Sequence, residues 1–119
     1  MRFHKEHTWI KVTDDTAIVG ISDFAQSKLT NIVFIELPSI GTQVEKGKQI
    51  ATVESVKSVS SVIAPISGDV IEVNKELEDS PELINSDPYV KGWMIKIKIK
   101  DKSELDDLMS EEEYKAENK

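Results

Sequence analysis

Lys57 is placed to be modified rather than to catalyse. It sits in Val53-Glu54-Ser55-Val56-Lys57-Ser58-Val59-Ser60-Ser61-Val62, two β-prone arms meeting at a tip of small residues. Gly47 and Gly68 punctuate the two ends of the unit, and the lysine falls almost midway between them. An acylation target must be accessible and held on a rigid, reproducible turn that a partner enzyme can read. Ser55 and Ser58 keep bulk away from the amine, while Val53, Val56, Val59 and Val62 stiffen the arms. An ammonium is no nucleophile, so an activated acyl donor and a base must come from that partner. The chemistry this points to is a covalently loaded swinging arm. Hairpin tips favour charged residues in any case, and the chain has fourteen Lys against one Arg. Position, not residue type, therefore carries the reading.

Other chemistry is hard to assemble. There are no cysteines, which excludes disulfides, thiolate catalysis and Cys-based metal sites. His4 and His7 are the only histidines, expected on an exposed N-terminal extended segment without further ligands. The five glycines are scattered singly, so no phosphate-cradling loop exists. Trp9 and Trp93 fall in strand-like segments, where packing is their expected role. The net charge of −7 is uneven: residues 101–119 hold −5 and the first hundred −2. An acidic tail on a nearly balanced body argues against nucleic acid. No apolar run is long enough to span a membrane. The N-terminus carries neither a signal peptide nor a presequence pattern, which predicts a cytoplasmic protein, or a mitochondrial-matrix one if a presequence has been removed.

The elements that would position Lys57 are mostly short strands. Thr8–Val12 and Thr16–Ile21 read as a hairpin around Thr13-Asp14-Asp15. Ser22-Asp23 caps a short helix, Phe24–Leu29. Ile32–Leu37 is a strand ended by Pro38, Gln49–Val53 and Val59–Ala64 are the arms of the central hairpin, and Asp69–Val73 is half-buried. Ser80-Pro81 is expected to cap one helical turn through Ile84. Trp93–Ile99 alternates, with Trp93, Ile95, Ile97 and Ile99 facing inward and Met94 and three lysines outward. Ser103-Glu104-Leu105-Asp106 resembles a capping box opening a helix through Leu108-Met109, and Glu111–Lys119 is expected to fray. One β domain over residues 1–119 follows, a barrel or sandwich with short peripheral helices, residues 101–119 forming an acidic helical tail.

Several segments together resemble the H protein of the glycine cleavage system: Lys5-Glu6-His7-Thr8-Trp9, Val19-Gly20-Ile21-Ser22-Asp23, Ile32-Val33-Phe34-Ile35-Glu36-Leu37-Pro38, Glu54-Ser55-Val56-Lys57, Ala64-Pro65-Ile66-Ser67-Gly68, Asp79-Ser80-Pro81-Glu82-Leu83-Ile84-Asn85, Asp87-Pro88-Tyr89 and Gly92-Trp93. Their order and spacing follow the family along essentially the whole chain. The resemblance implies a lipoyl-domain-like barrel-sandwich hybrid and lipoic acid in amide linkage to Lys57. It implies a non-catalytic, monomeric carrier with three enzyme partners: a glycine decarboxylase (P protein) that loads an aminomethyl group, an aminomethyltransferase (T protein) that passes the carbon on, and a dihydrolipoyl dehydrogenase (L protein) that reoxidises the arm. A lipoate ligase or a lipoyl or octanoyl transferase would attach the group. Glu54, Ser55, Val56, Ser58, Ser61, Thr8 and Phe24 are the implied surroundings of the arm.

The chain also departs from the family pattern. Thr8 stands where Glu is usual, Phe24 where His is usual, and Ser61 where an acid is common. Thr30-Asn31 replaces Gly followed by an acid, and Ile63 a frequent Tyr. In the family the carboxylates at the first and third of these positions are thought to hold the cationic aminomethylated arm, so their absence bears on the cargo. It favours a second reading, an H-like lipoyl carrier serving another pathway by relaying lipoyl groups or carrying sulfur intermediates. Biotin carriers share the hairpin logic but set methionines beside the lysine, where this chain has Val56 and Ser58. A binding module with an ordinary Lys57 is the remaining alternative.

Overall fold

The computed structural model describes residues 1–118. In chain order the elements are β1 (Arg2–Phe3), β2 (Thr8–Thr13), β3 (Thr16–Ile21), α1 (Asp23–Leu29), β4 (Ile32–Glu36), β5 (Gln43–Val44), β6 (Gln49–Ser55) and β7 (Val59–Ile63). β8 (Gly68–Val73), α2 (Glu76–Asp79), α3 (Leu83–Ser86), β9 (Ile95–Ile99), a 3-10 turn over Lys102–Asp107, β10 (Met109–Ser110) and α4 (Glu111–Glu117) complete the series. A seven-stranded sheet in the order β10-β1-β2-β3-β9-β8-β5 packs against a three-stranded one, β4-β6-β7. The strand pattern predicts a mainly β barrel or sandwich with small helices, and of the two the chain forms the sandwich.

The period-two alternation of the strands decides what lies between the sheets. Ala17, Val19, Ile21, Ile95, Ile97 and Val70 from the large sheet meet Ile32, Ile35, Val53 and Val62 from the small one in one buried cluster. The other face of the large sheet carries a second, aromatic cluster around Phe3, Trp9 and Tyr114. Trp9 is fully buried there, and its indole lies across Gly20, its register partner in β3. A Cβ at Gly20 would stand 2.7 Å from Trp9 Nε1, so only glycine admits the ring. The indole N–H donates to the Pro88 carbonyl at 3.0 Å. Phe3 stacks on Tyr114 with centroids 4.3 Å apart.

Four sequence expectations give way here. The alternation of β9 begins at Ile95: Met94 is buried in the core and its N–H donates to Val19 O at 2.8 Å, whereas Trp93 is half-buried in the aromatic cluster. Ser103 opens no α-helix, because its hydroxyl turns back to Asp101 at 2.6 Å and Glu104 is drawn to Ser67. The capping box that does form is Ser110 with Glu113, and it opens α4, which docks Tyr114 into the aromatic cluster instead of fraying. That expectation also covered Lys119, which lies outside the described residues. Ser80 caps nothing with its side chain; α3 starts at Leu83, with Glu82 before it.

Candidate functional site

The hairpin β6–β7 presents Lys57 between two paired arms, with Glu54 opposite Val59 and Val53 opposite Ser60. Its base is closed where Gly47 N–H donates to Ala64 O and Ala64 N–H to Lys48 O. Gly47 adopts φ +86, a left-handed conformation glycine enters without steric cost. The tip, Val56-Lys57-Ser58, is exposed. Ser55 is buried, and its Oγ accepts from the N–H groups of Lys57 (3.2 Å) and Ser58 (3.1 Å). The same hydroxyl donates to Ser58 O, and Ser55 N–H meets that carbonyl at 2.8 Å. Val56 N–H is held by Asn31 O at 3.0 Å. Ser55 is therefore a clasp beneath the turn rather than a small residue beside the amine, and it fixes the backbone from which Lys57 projects.

Beside the β6–β7 hairpin lies a cleft of about 220 Å³ lined by the apolar residues Ile21, Phe24, Ala25, Leu29, Val53 and Val62 together with Glu6, His7, Lys28, Ser60 and Ser61. Ser60 and Ser61 follow Lys57 by three and four residues, so the cleft edge begins about 10–13 Å along the strand from the tip. Phe24 forms a wall and faces His7, with centroids 5.1 Å apart. Lys28 Nζ sits 5.3 Å from the Phe24 ring centroid.

Two polar clamps hold this wall. The Tyr114 hydroxyl lies 2.6 Å from both His7 Nδ1 and Ser22 Oγ. Ser22 Oγ in turn accepts from Ala25 N–H and so caps α1. The Tyr114 hydroxyl can donate to one of these neighbours while accepting from the other, so a single phenol bridges His7 and Ser22. At the far end of α1, Asn85 donates to Gln26 Oε1 (2.8 Å) and Thr30 O (2.7 Å), and its Oδ1 accepts from Ile32 N–H. Thr30 takes φ +65 and ψ −142, a region that glycine occupies freely and a β-branched residue does not.

Of the sequence candidates, Phe24 and Ser61 line the cleft and Ser55, Val56 and Ser58 build the tip. Thr8 does neither. It is wholly buried, with its hydroxyl donating to Ile63 O at 2.9 Å. Glu54 lies on the outward face of the small sheet, in one row with Phe34 and Val59. The histidines are not surface groups: His4 is buried and His7 is tied to Tyr114. Burial holds the His4 imidazole below its ordinary value, with Glu6 opposing that shift and Lys46 and Lys5 adding to it. Glu6, His7, Lys28 and Ser60 were not anticipated at the cleft. The only sequence signal for the first two was membership of the Lys5–Trp9 segment.

A lysine displayed on a clasped hairpin of a two-sheet sandwich, beside a small apolar cleft, is the architecture of a covalent-arm carrier. The family model described as "Glycine cleavage H-protein" matches residues 1–119, and the chain belongs to that family. The glycine cleavage system H protein of Staphylococcus carnosus is 50% identical over 115 residues, 97% of this chain and 91% of that relative. That of Carboxydothermus hydrogenoformans is 52% identical over 114 residues, covering 96% and 88%. The crystal structure of a glycine cleavage system H protein from Mycobacterium marinum superposes with a TM-score of 0.88 at 33% identity, covering 98% of this chain and 94% of that one. The family consists of non-catalytic lipoyl carriers of the glycine cleavage system. No helix among the described residues is long and apolar enough to cross a membrane.

Proposed function

We propose that this chain, as one carrier unit over residues 1–119, holds lipoic acid as an amide on Lys57 Nζ and serves glycine cleavage through that arm. The observation that carries the reading is the tip itself: an exposed lysine on a turn clasped from below by the buried Ser55 hydroxyl. None of the four ion pairs among the described residues uses Lys57. The residues present suit the group. An eight-carbon acyl chain needs an apolar lining, and Ile21, Phe24, Leu29, Val53 and Val62 supply one within reach of the hairpin. When bound, the lipoyl group supplies a dithiolane that takes up a one-carbon unit and a pair of electrons.

The chain's own residues position and shelter. Ser55 fixes the origin of the arm, Phe24 and Leu29 exclude water from its resting place, and Ser60, in register with the buried Val53, offers a hydroxyl there. Glu54, Val56 and Ser58 form the outward surface that an attaching ligase or transferase would read. The partners are then a glycine decarboxylase, an aminomethyltransferase and a dihydrolipoyl dehydrogenase, all approaching the hairpin end. The acidic C-terminal segment adds a field that steers them.

Protein produced with lipoate and a lipoate ligase, then analysed by intact mass and peptide mapping, tests the attachment. One lipoyl group on the peptide containing Lys57 is expected, and none on Lys57→Arg, which keeps the charge but cannot accept the acyl group. A lipoyl group on another side chain, or on none, overturns the assignment.

A further inference from the structure

We propose that an apolar patch at the tip end of the small sheet, built by Val33 and Phe34 of β4 with Val56 and Val59 of the hairpin, is the docking surface for the enzyme that acylates Lys57. The inference rests on the carrier reading above and deepens it, because it assigns a role to a strand that does not carry the lysine. Val33 and Phe34 are 52% and 54% exposed, while Ile32 and Ile35 on either side of them are 3% and 4%. Val56 and Val59 are more exposed still. Regular alternation cannot give that pattern, since it would turn Phe34 to the same side as Ile32. A shift of register does. Ile32 stands opposite Ser55 but Phe34 opposite Glu54, so β4 fits one extra residue against a single step of β6. The bulge buries Ile32 and Ile35 together and leaves two consecutive apolar side chains to solvent.

The bulge lies where the hairpin turns. Phe34, Glu54 and Val59 form one cross-strand row, in which Phe34 is about 10 Å from Val59, two strand spacings away. Val59 follows Lys57 by two residues, and Val56 just before the lysine is tied to the start of β4 by its N–H on Asn31 O at 3.0 Å. Exposed apolar side chains thus stand on both sides of the lysine in sequence and on the strand beside it. The next row on the same face, Glu36, Thr52 and Ser61, is polar and bounds the patch. An apolar patch with a polar margin, beside a group that a partner must reach, is what a docking surface requires.

Reach selects the occupant. In acylation Nζ gives its ammonium proton to a base of the enzyme, and the freed lone pair attacks the carbonyl carbon of an activated donor, an acyl adenylate or a thioester. The N–C bond forms, and the bond from that carbon to oxygen or sulfur breaks with its electron pair. The second proton lost from nitrogen goes to the leaving group or to solvent. An active site doing this must close around Lys57 within one lysine side chain of the turn, which brings its rim onto Val56, Val59 and Phe34. Enzymes that work on the dithiolane meet it a whole lipoyl chain farther out and need not touch the patch. The partner that fits is an acyl-transferring enzyme whose active-site mouth is rimmed by apolar side chains. Phe34, the one aromatic residue of the patch, is its anchor.

The protein without its acyl group would be treated with a lipoate ligase, lipoate and ATP, and initial rates read by intact mass over a range of carrier concentrations. Phe34→Thr keeps strand propensity but loses apolar bulk, Phe34→Leu keeps the bulk, and Val90→Thr alters a similarly exposed apolar residue outside the patch. Phe34→Thr should raise KM about ten-fold with kcat within about two-fold, and Phe34→Leu should recover most of the loss. Val33→Thr should shift KM the same way by a smaller factor, which keeps the test alive if thermal melts show that Phe34→Thr does not fold. Val90→Thr should match the wild type. Each variant, carried to full lipoylation with excess ligase, should then be loaded from glycine by the decarboxylase at the wild-type rate. A wild-type KM in the Phe34→Thr and Val33→Thr proteins, an equal loss in Val90→Thr, or a parallel loss in decarboxylase loading overturns the inference and leaves the carrier reading intact. So does a wild-type dimer in sedimentation that Phe34→Thr dissolves, which would give the patch to a second copy of the chain. Wild-type protein that takes no lipoyl group on Lys57 overturns both.

Discussion

The Tyr114 hydroxyl lies 2.6 Å from His7 Nδ1, joining the C-terminal helix to the turn that opens the chain. The same oxygen reaches Ser22, the N-cap of α1, so three segments that frame the cleft meet at one phenol. Burial raises the Tyr114 phenol above its ordinary value. Tyr114→Phe retains the stack on Phe3 but strands His7 and Ser22. A loss of about 1–3 kcal/mol is expected, read as a lower denaturant midpoint with unchanged slope. An unaltered midpoint would show that the bond contributes nothing.

Ser55→Ala removes the acceptor shared by the Lys57 and Ser58 N–H groups. The exposed tip can turn those groups to water, so the expected stability loss is small, about 1 kcal/mol. The larger effect should appear in acylation. A ligase that reads the shape of the turn should show a raised KM for the variant, measurable by a mass time course of lipoylation. Wild-type kinetics for Ser55→Ala would mean that the clasp does not matter to recognition.

Thr30 carries strain that a glycine would not. Its φ of +65 with ψ of −142 is disfavoured by about 1–3 kcal/mol for such a residue, partly offset by the flexibility glycine adds to the unfolded chain. Thr30→Gly should therefore stabilise by about 1 kcal/mol and raise Tm by about 4 °C in calorimetry. A lower Tm would show that the Asn85 clamp has already relieved the strain.

Buried His4 predicts a pH dependence. Its folded-state affinity for protons is lowered, chiefly by burial. As pH falls below about 6.5 the unfolded chain takes up a proton that the folded one resists, so stability declines and then levels off below the folded value. Neutral Nδ1 also accepts the Glu6 N–H, a bond that protonation ends. His4→Gln should flatten this part of the curve when denaturation midpoints are compared from about pH 7.5 to about pH 5. Identical slopes in the two proteins would assign the effect elsewhere.

The hairpin around Lys57, the β2–β3 hairpin and the cap of α1 were legible in the chain because each is local: alternation, turn residues and an N-cap serine act over a few positions. The family resemblance supplied the sandwich and the arm. The cleft was only half legible. Phe24 and Ser61 drew notice as departures from a pattern, but Glu6 and His7 reach the cleft through a positive-φ turn at His7 that the sequence does not announce. Thr8 was set beside the arm only because the family pattern has Glu at that position, whereas tertiary packing buries it with its hydroxyl on Ile63 O. The C-terminal helix was read as frayed since it has few apolar residues; a single tyrosine docked among aromatics was enough to hold it.

The pairing of β1 with both β2 and β10, Arg2 opposite Ile10 on one side and Ser110 on the other, has a consequence for how the molecule is made. During synthesis the β6–β7 hairpin leaves the ribosome complete, its two arms adjacent in sequence. The first strand must wait for Met109 and Ser110 before its outer edge is covered. The large sheet therefore cannot close until Met109 and Ser110 have emerged, and a loop of that length closes slowly compared with a local hairpin. A nascent chain arrested before residue 109 would show an organised central hairpin and an N-terminal strand still open to exchange.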